Sequence, residues 1–244
     1  MRNIKVVIEY DGTEYQGFQY QPEVPTIQGE LERVLTGLVK EPVTVYGAGR
    51  TDTGVHAAGQ VINFRSNCTI PIDRLCIAMN SRLPEDISAV CAEDVDDSFH
   101  ARYSAVRRVY RYDILNTELR SSLLCRYKWH VSRMLDEALM HDALQVLVGM
   151  HDFRGFSRGV HETRTTVRTV DYALAGRVGD VVSVEVAASG FLRSMVRVIV
   201  GVLVEIGAGL RPSDDMVEIL NSAQTGLAKA TAPPQGLCLV RVDY

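Results

Sequence analysis

The sequence predicts an α+β fold: two split-βαβ (ferredoxin-like) halves forming a largely antiparallel central sheet with helices packed on it. Three observations point there. Residues 1–104 run through strand-like and helix-like patterns in the order β-α-β-β-α-β. Residues 105–244 repeat that order with additions, without visible sequence identity to the first half. No low-complexity linker separates the halves at the boundary near Ser98 to Ser104, which predicts close docking, into one extended sheet, and not loose tethering.

Each element has its own signal. Ile4 to Tyr10 alternates and is rich in β-branched residues, as a half-buried strand should be. Thr26 to Val39 places Ile27, Leu31, Val34, Leu35 and Leu38 on one helical face. Val43 to Tyr46 reads as a short strand, followed by a Gly-rich loop and a second strand from Gly59 to Phe64. Ile72 to Leu83 is helical and bounded by Pro71 and Pro84, and Ser88 to Cys91 is a strand. In the second half, "AVRRVYRYDIL" from Ala105 is a strand and "RMLDEALMHDALQVLV" an amphipathic helix closed by Gly149. "TRTTVRTVDYALAGR" and "GDVVSVEVAAS" are two strands joined by a Gly-containing turn. "FLRSMVRVIVGVLVEIG" is a helix closed by Gly207; a short helix near Asp214 to Asn221 and the strand "LCLVRVDY" complete the chain.

Composition sets the class. Hydrophobic residues make up 46% and charged residues 23% of 244, ordinary for a soluble globular protein with a core of useful size. Cys68, Cys76, Cys91, Cys125 and Cys238 are odd in number, widely spaced and never CxxC, so they read as reduced thiols of a cytoplasmic protein, with no metal site. The N-terminus reads as a strand and lacks a signal-peptide core. The most apolar stretch, near residues 195 to 206, is interrupted by Arg197 and Glu205 and predicts a buried helix, not a membrane span.

The net charge of −4 says nothing for a nucleic-acid partner, but the distribution does. Residues 102 to 133 carry Arg102, Arg107, Arg108, Arg111, Arg120, Arg126, Lys128 and Arg133, interleaved with Tyr103, Tyr110, Tyr112, Tyr127 and Trp129. Arg154, Arg158, Arg164 and Arg168 form a second patch, while acids cluster at Glu93 to Asp97. Segregated charge with aromatic residues suits an RNA-binding face; solvated strand faces are the plainer alternative. On the strand from Ala105, Arg107 and Arg111 share one face, and Arg108 points the other way with Tyr110 and Tyr112.

The stretch "VYGAGRTDTGVHAAGQVINF" poses the functional question, because it contains Asp52-Thr53-Gly54. An aspartic protease needs two such loops, or a dimer of much shorter chains, with apolar residues before the Asp so that two carboxylates share a proton. Here a single copy follows Gly49-Arg50-Thr51, and an Arg so close favours an ionised Asp. A phosphate-binding loop lacks its Lys-Ser/Thr and its βαβ context. A turn-capping Asp is the structural alternative. Against it stands the apolar helix, which carries Arg193 and Arg197 on one face; a buried Arg requires a carboxylate, and Asp52 is a candidate for Arg197.

"GAGRTDTGVHA" resembles the GRTDxGVHA signature of the tRNA pseudouridine synthase A family (TruA-type). "YDGTEYQGFQYQPEVPTIQGELE", "FHARYSAVRRVYRYDI", "HDFRGFS", "GFLRSMVRVIVG" and "APPQGLCLVRVDY" resemble further blocks of that family, in order, over nearly the whole chain. Phe18 stands where Trp is common and Thr53 where Ala is; Ser194 and Val198 stand where Asn often appears. The resemblance implies a pseudouridine synthase fold and an isomerase that detaches uracil from C1′ of a tRNA uridine, rotates it and reattaches it through C5. It implies no cofactor and no metal, a tRNA partner modified at positions 38 to 40 of the anticodon stem-loop, and a homodimer. It implies that Asp52 is catalytic and that Arg197 keeps it ionised. Arg50 is expected to hold the space or phosphate of the flipped base and Tyr110 to pack on the uracil, and the charge pattern adds Arg107, Arg108 and Arg111 as the residues expected to hold RNA. His56 is expected to be structural. A tRNA-binding module without chemistry is the rival reading, and a synthase acting on other uridines a second.

Overall fold

The computed structural model describes residues 1–159, 165–222 and 227–244. They gather into two compact units: Met1–Val106 with Leu239–Tyr244, and Arg107–Cys238.

The first unit has the expected β-α-β-β-α-β order: β1 (Arg2–Tyr10), α1 (Ile27–Val39), β2 (Tyr46–Gly47), β3 (His56–Ser66), α2 (Ile72–Asn80) and β4 (Ile87–Val95). β1 lies between β4 and β3, antiparallel to both, and β2 pairs antiparallel with β3. The burial of β1 follows its sequence alternation, with Ile4, Val6, Ile8 and Tyr10 on the core face. α1 begins where Thr26 caps it, its side chain accepting the Gly29 N–H, and it buries Ile27, Leu31, Val34 and Leu35. α2 stops at Asn80, short of Leu83, because the Asn80 amide turns to the next strand: it donates to Ala89 O at 2.9 Å and accepts from Ala89 N–H at 2.7 Å. β3 extends beyond Gly59–Phe64 at both ends. It is buried along almost its whole length, so it lacks the polar alternation that marks a strand in sequence.

The second unit carries β5 (Arg107–Leu115), β6 (Trp129–His130), α3 (Glu137–Gln145), β7 (Gly149–Asp152), β8 (Val167–Val178), β9 (Val181–Ala188), α4 (Met195–Gly207) and α5 (Asp215–Ser222). β9 pairs antiparallel with β5 and β8, β7 pairs antiparallel with β8, and two-residue β6 runs parallel to β5. α3 packs on β8 and α4. β6 and β7 are too short to show a period in sequence. Arg164 and the start of the strand expected from Thr163 lie outside the described residues.

The last strand, β10 (Leu237–Asp243), ends in the first unit. There Val106 N–H donates to Asp243 O at 2.9 Å and the Tyr244 hydroxyl to Ala101 O at 2.8 Å. None of the five cysteines is in a disulfide. Among the described residues no helix is long and apolar enough to cross a membrane.

Candidate active site

Asp52 sits on the loop between β2 and β3 of the first unit, partly exposed, with Arg50 and Thr53 exposed on either side. The loop is held from beneath by side chains of the sheet. The Gln60 amide donates to Gly49 O at 2.8 Å, and the Tyr10 hydroxyl meets Thr51 Oγ1 at 2.8 Å. Val55 N–H donates to Asp52 O at 3.1 Å and closes a turn that passes through Gly54 at φ +74°. That left-handed conformation is readily adopted by Gly.

Residues 11–18 hold the loop from the side. Gly54 N–H donates to Tyr15 O at 3.3 Å, and Phe18 N–H to Thr51 O at 3.1 Å. Two glycines allow the backbones to approach. A Cβ on Gly12 would meet the Val55 carbonyl, and one on Gly17, which is at φ +89°, would lie 2.8 Å from Thr51 O. His56 is 7% exposed; its Nδ1 accepts Gly12 N–H at 3.0 Å and lies 3.1 Å from Asp11 Oδ1. The ring braces the end of the loop. Tyr15 anchors the segment in turn, donating to Asp86 Oδ1 at 2.6 Å; burial, with the Asp86 hydrogen bond, pushes its phenol well above the usual range, so it remains a donor. Thus Asp52 rides on a backbone fixed on two sides. Sequence reasoning does not single out Tyr10, Gly12, Gly17 or Gln60, although the two glycines stand in the quoted block "YDGTEYQGF".

In the second unit Tyr110 lies on β5, buried, its ring edge-on to Phe191 with centroids 5.0 Å apart. Its neighbours alternate as strand geometry requires. Arg107 and Arg111 are on the outer face, with Arg107 Nε 2.8 Å from Asp171 Oδ2 and Arg111 Nε 3.4 Å from Asp113 Oδ1. Arg108 is on the inner face, 9% exposed, and donates to Ser189 O at 2.9 Å. Arg197 is partly buried on α4 and donates through Nε to Ala232 O at 2.9 Å, while Ala232 N–H returns to Arg197 O at 2.9 Å. Next to it the Tyr112 hydroxyl donates to Pro233 O at 2.8 Å; burial raises the Tyr112 pKa against the opposing Arg197 charge. Arg193 does not share a helical face with Arg197. α4 starts only at Met195, after Ser194 at φ 56°, and Arg193 is exposed before it.

The model of the family described as tRNA pseudouridine synthase matches residues 6–104 and 143–244. The chain is 45% identical to proteins named tRNA pseudouridine synthase A from Thermoanaerobacter sp. (strain X514) and from Acetivibrio thermocellus, over 244 residues and the full length of each. It is 44% identical to the protein of that name from Shewanella frigidimarina, covering 97% of this chain and 91% of that one.

Proposed function

The chain belongs to the tRNA pseudouridine synthase family, and from that premise we propose that it isomerises uridine to pseudouridine in the tRNA anticodon stem-loop, at positions 38 to 40, with Asp52 as its catalytic carboxylate. The observation that carries Asp52 is its setting: a partly exposed acid on a loop whose backbone is fixed by Tyr10, Gln60 and residues 11–18. Positioning of this kind is what a carboxylate needs to meet one atom of a large substrate. In the reaction the N1–C1′ bond breaks, a C5–C1′ bond forms, a proton leaves C5 and one arrives at N1. Nothing is oxidised and no atom is gained, so the reaction has no stoichiometric need of a co-reactant. Asp52 serves either as nucleophile at C1′ or as base for the 2′ proton; both roles require it ionised. A primary isotope effect with 2′-deuterated uridine marks the second.

The target base must leave its stack, at a cost of roughly a few kcal/mol. To Arg50, exposed two residues before Asp52, we assign the vacated space or the phosphate. We assign to Arg197 the cation that keeps the catalytic carboxylate ionised, and to Tyr110 the ring that packs on the uracil. The enzyme acts as a cytoplasmic homodimer, with one tRNA across both subunits. The test is mapping of pseudouridine in a tRNA transcript after incubation with the protein: a new pseudouridine at 38, 39 or 40 is expected, and none anywhere would overturn the reading.

Two further outcomes are expected. Tyr110→Phe keeps the edge-on contact with Phe191 and should bind tRNA normally but turn over about tenfold or more slower, because the hydroxyl takes part in moving the C5 proton. Unchanged single-turnover rates would leave only the ring. Arg107→Glu and Arg111→Glu should weaken all tRNAs alike and shrink the log–log salt slope by about 0.7 to 0.9 for each phosphate no longer neutralised. A salt titration that leaves affinity and slope unchanged in both would move the RNA off this face. Arg108 is a poorer reporter, since reversing a charge that donates to Ser189 O inside the fold disturbs folding first.

A further inference from the structure

The connection from Asp96 to Ser104 is anchored more firmly than an exposed turn requires. The buried Asn3 amide donates to Asp96 O and Phe99 O, both at 2.9 Å. The buried Asn63 donates to Asn3 Oδ1 and accepts Ala101 N–H, both at 2.9 Å. His100 N–H donates to Ser104 Oγ at 3.0 Å, and Ser104 N–H returns to His100 O at 2.9 Å. This scaffold holds rings at the surface. His100 lies between Tyr46 and Tyr103, with centroid distances of 5.1 and 4.5 Å. Tyr103 is 76% exposed and Tyr46 44%. The Arg102 guanidinium lies over the outer ring, 5.6 Å from the Tyr103 centroid.

His100 is a neutral member of this cluster. Arg102 N–H donates to its Nδ1 at 3.1 Å, and burial, with the Arg102 charge adding, lowers its pKa below the usual histidine value. Three acids of the adjoining stretch are engaged, Glu93 with Lys5 and Asp94 with Arg2, each at 2.7 Å, and Asp96 on Ser98 N–H at 2.8 Å, while Asp97 is exposed. A rigid, exposed set of rings with a cation on its outer face suits a nucleobase followed by its phosphate. Its location suits the same partner. Tyr46 is on β2, which leads directly into the Asp52 loop, and six residues of chain reach at most about 22 Å. That is about six nucleotides at a stacking distance of about 3.4 Å.

We propose that Tyr46, His100, Tyr103 and Arg102 form a stacking site for an RNA nucleotide a few positions from the target uridine, its base against Tyr103 and its phosphate against Arg102. This site rests on the reading of the chain as a tRNA-modifying enzyme and adds to it a second, sequence-tolerant point of contact. Pre-organisation by Asn3 and Asn63 lowers the ordering cost of binding.

The test uses the full-length protein and a tRNA transcript, with affinity measured by fluorescence anisotropy at low and high salt. Tyr103→Ala, at a solvent-facing position, should weaken binding about tenfold or more at both salt concentrations, since stacking is not ionic. Tyr103→Phe should restore wild-type affinity. Arg102→Ala should instead shrink the salt slope. Equal affinity for wild type and Tyr103→Ala would overturn the proposal. So would a Tyr103→Ala variant that binds tRNA normally but changes its mass by light scattering, which would make the cluster an interface between copies of this chain. Pseudouridine formation by the wild type is scored in parallel: its absence overturns the proposed reaction, whereas its presence with an indifferent Tyr103→Ala overturns the stacking site alone.

Discussion

Asp52→Asn and Asp52→Ala should each lower pseudouridine formation by about 10⁴-fold or more, the scale on which enzymes lose rate when a catalytic side chain is removed. Affinity for tRNA should stay within about threefold of wild type, because the basic and aromatic residues assigned to RNA are untouched. The Asn variant is the sharper one. The turn at this position is closed by backbone, Val55 N–H to Asp52 O at 3.1 Å, and by Gly54 at φ +74°. Both survive the change. Asn also caps turns as well as Asp does. An aspartate present only for the loop's conformation would therefore be replaced by asparagine without loss. Single-turnover assays, with product mapped in the RNA, measure the rate directly. Near-normal turnover of Asp52→Asn would show that the acid shapes the loop and that the chemistry lies elsewhere.

Much of this fold is legible in the sequence because its elements satisfy local rules. Ile4 to Tyr10 alternates in sequence and in burial, and Thr26 caps the helix whose apolar stripe it precedes. The differences have local causes too. The apolar pattern starts at Phe191 and so predicts a helix from there, but Ser194 at φ 56° interrupts it and leaves Arg193 outside α4. β3 is longer than its sequence pattern because a strand buried on both faces shows no alternation. β6 and β7 escape sequence reasoning because two and four residues carry no period. Of the residues proposed for the site, Asp52 and Arg50 stand in the signature block, as does His56. The residues that hold the loop are not. Tyr10 looks like any core residue of a strand, and Gln60 like a polar residue in an apolar run; only tertiary contact shows that they meet Thr51 and Gly49. Gly12 and Gly17 are visible as glycines, but which backbone they admit is a property of the fold.

Those glycines lead to the second large expected effect. Gly12→Ala should reduce turnover by about 100-fold, the order of loss for a misplacement of about 1 Å in a catalytic group. An added Cβ would lie 2.7 Å from the Val55 carbonyl carbon and 3.2 Å from its nitrogen. Both neighbours are backbone, so no side-chain rotation relieves the contact. Either residues 11–18 or the loop must move. Both movements stretch the same set of bonds: Gly12 N–H to His56 Nδ1 at 3.0 Å, Gly54 N–H to Tyr15 O at 3.3 Å and Phe18 N–H to Thr51 O at 3.1 Å. The overpacking should also cost about 1–3 kcal/mol of stability. For a chain of this size each kcal/mol corresponds to about 2–4 °C in melting temperature. Gly176→Ala is the control, since a Cβ there meets nothing within 4 Å. It should match wild type in both measurements. The decisive comparison is the single-turnover rate at a temperature where both variants remain folded. A slow Gly12→Ala enzyme with unchanged tRNA affinity means that the closeness of these two backbones sets the position of Asp52. A variant with wild-type rate and melting temperature would mean that the loop tolerates displacement, and that its fixed setting is not what the chemistry requires.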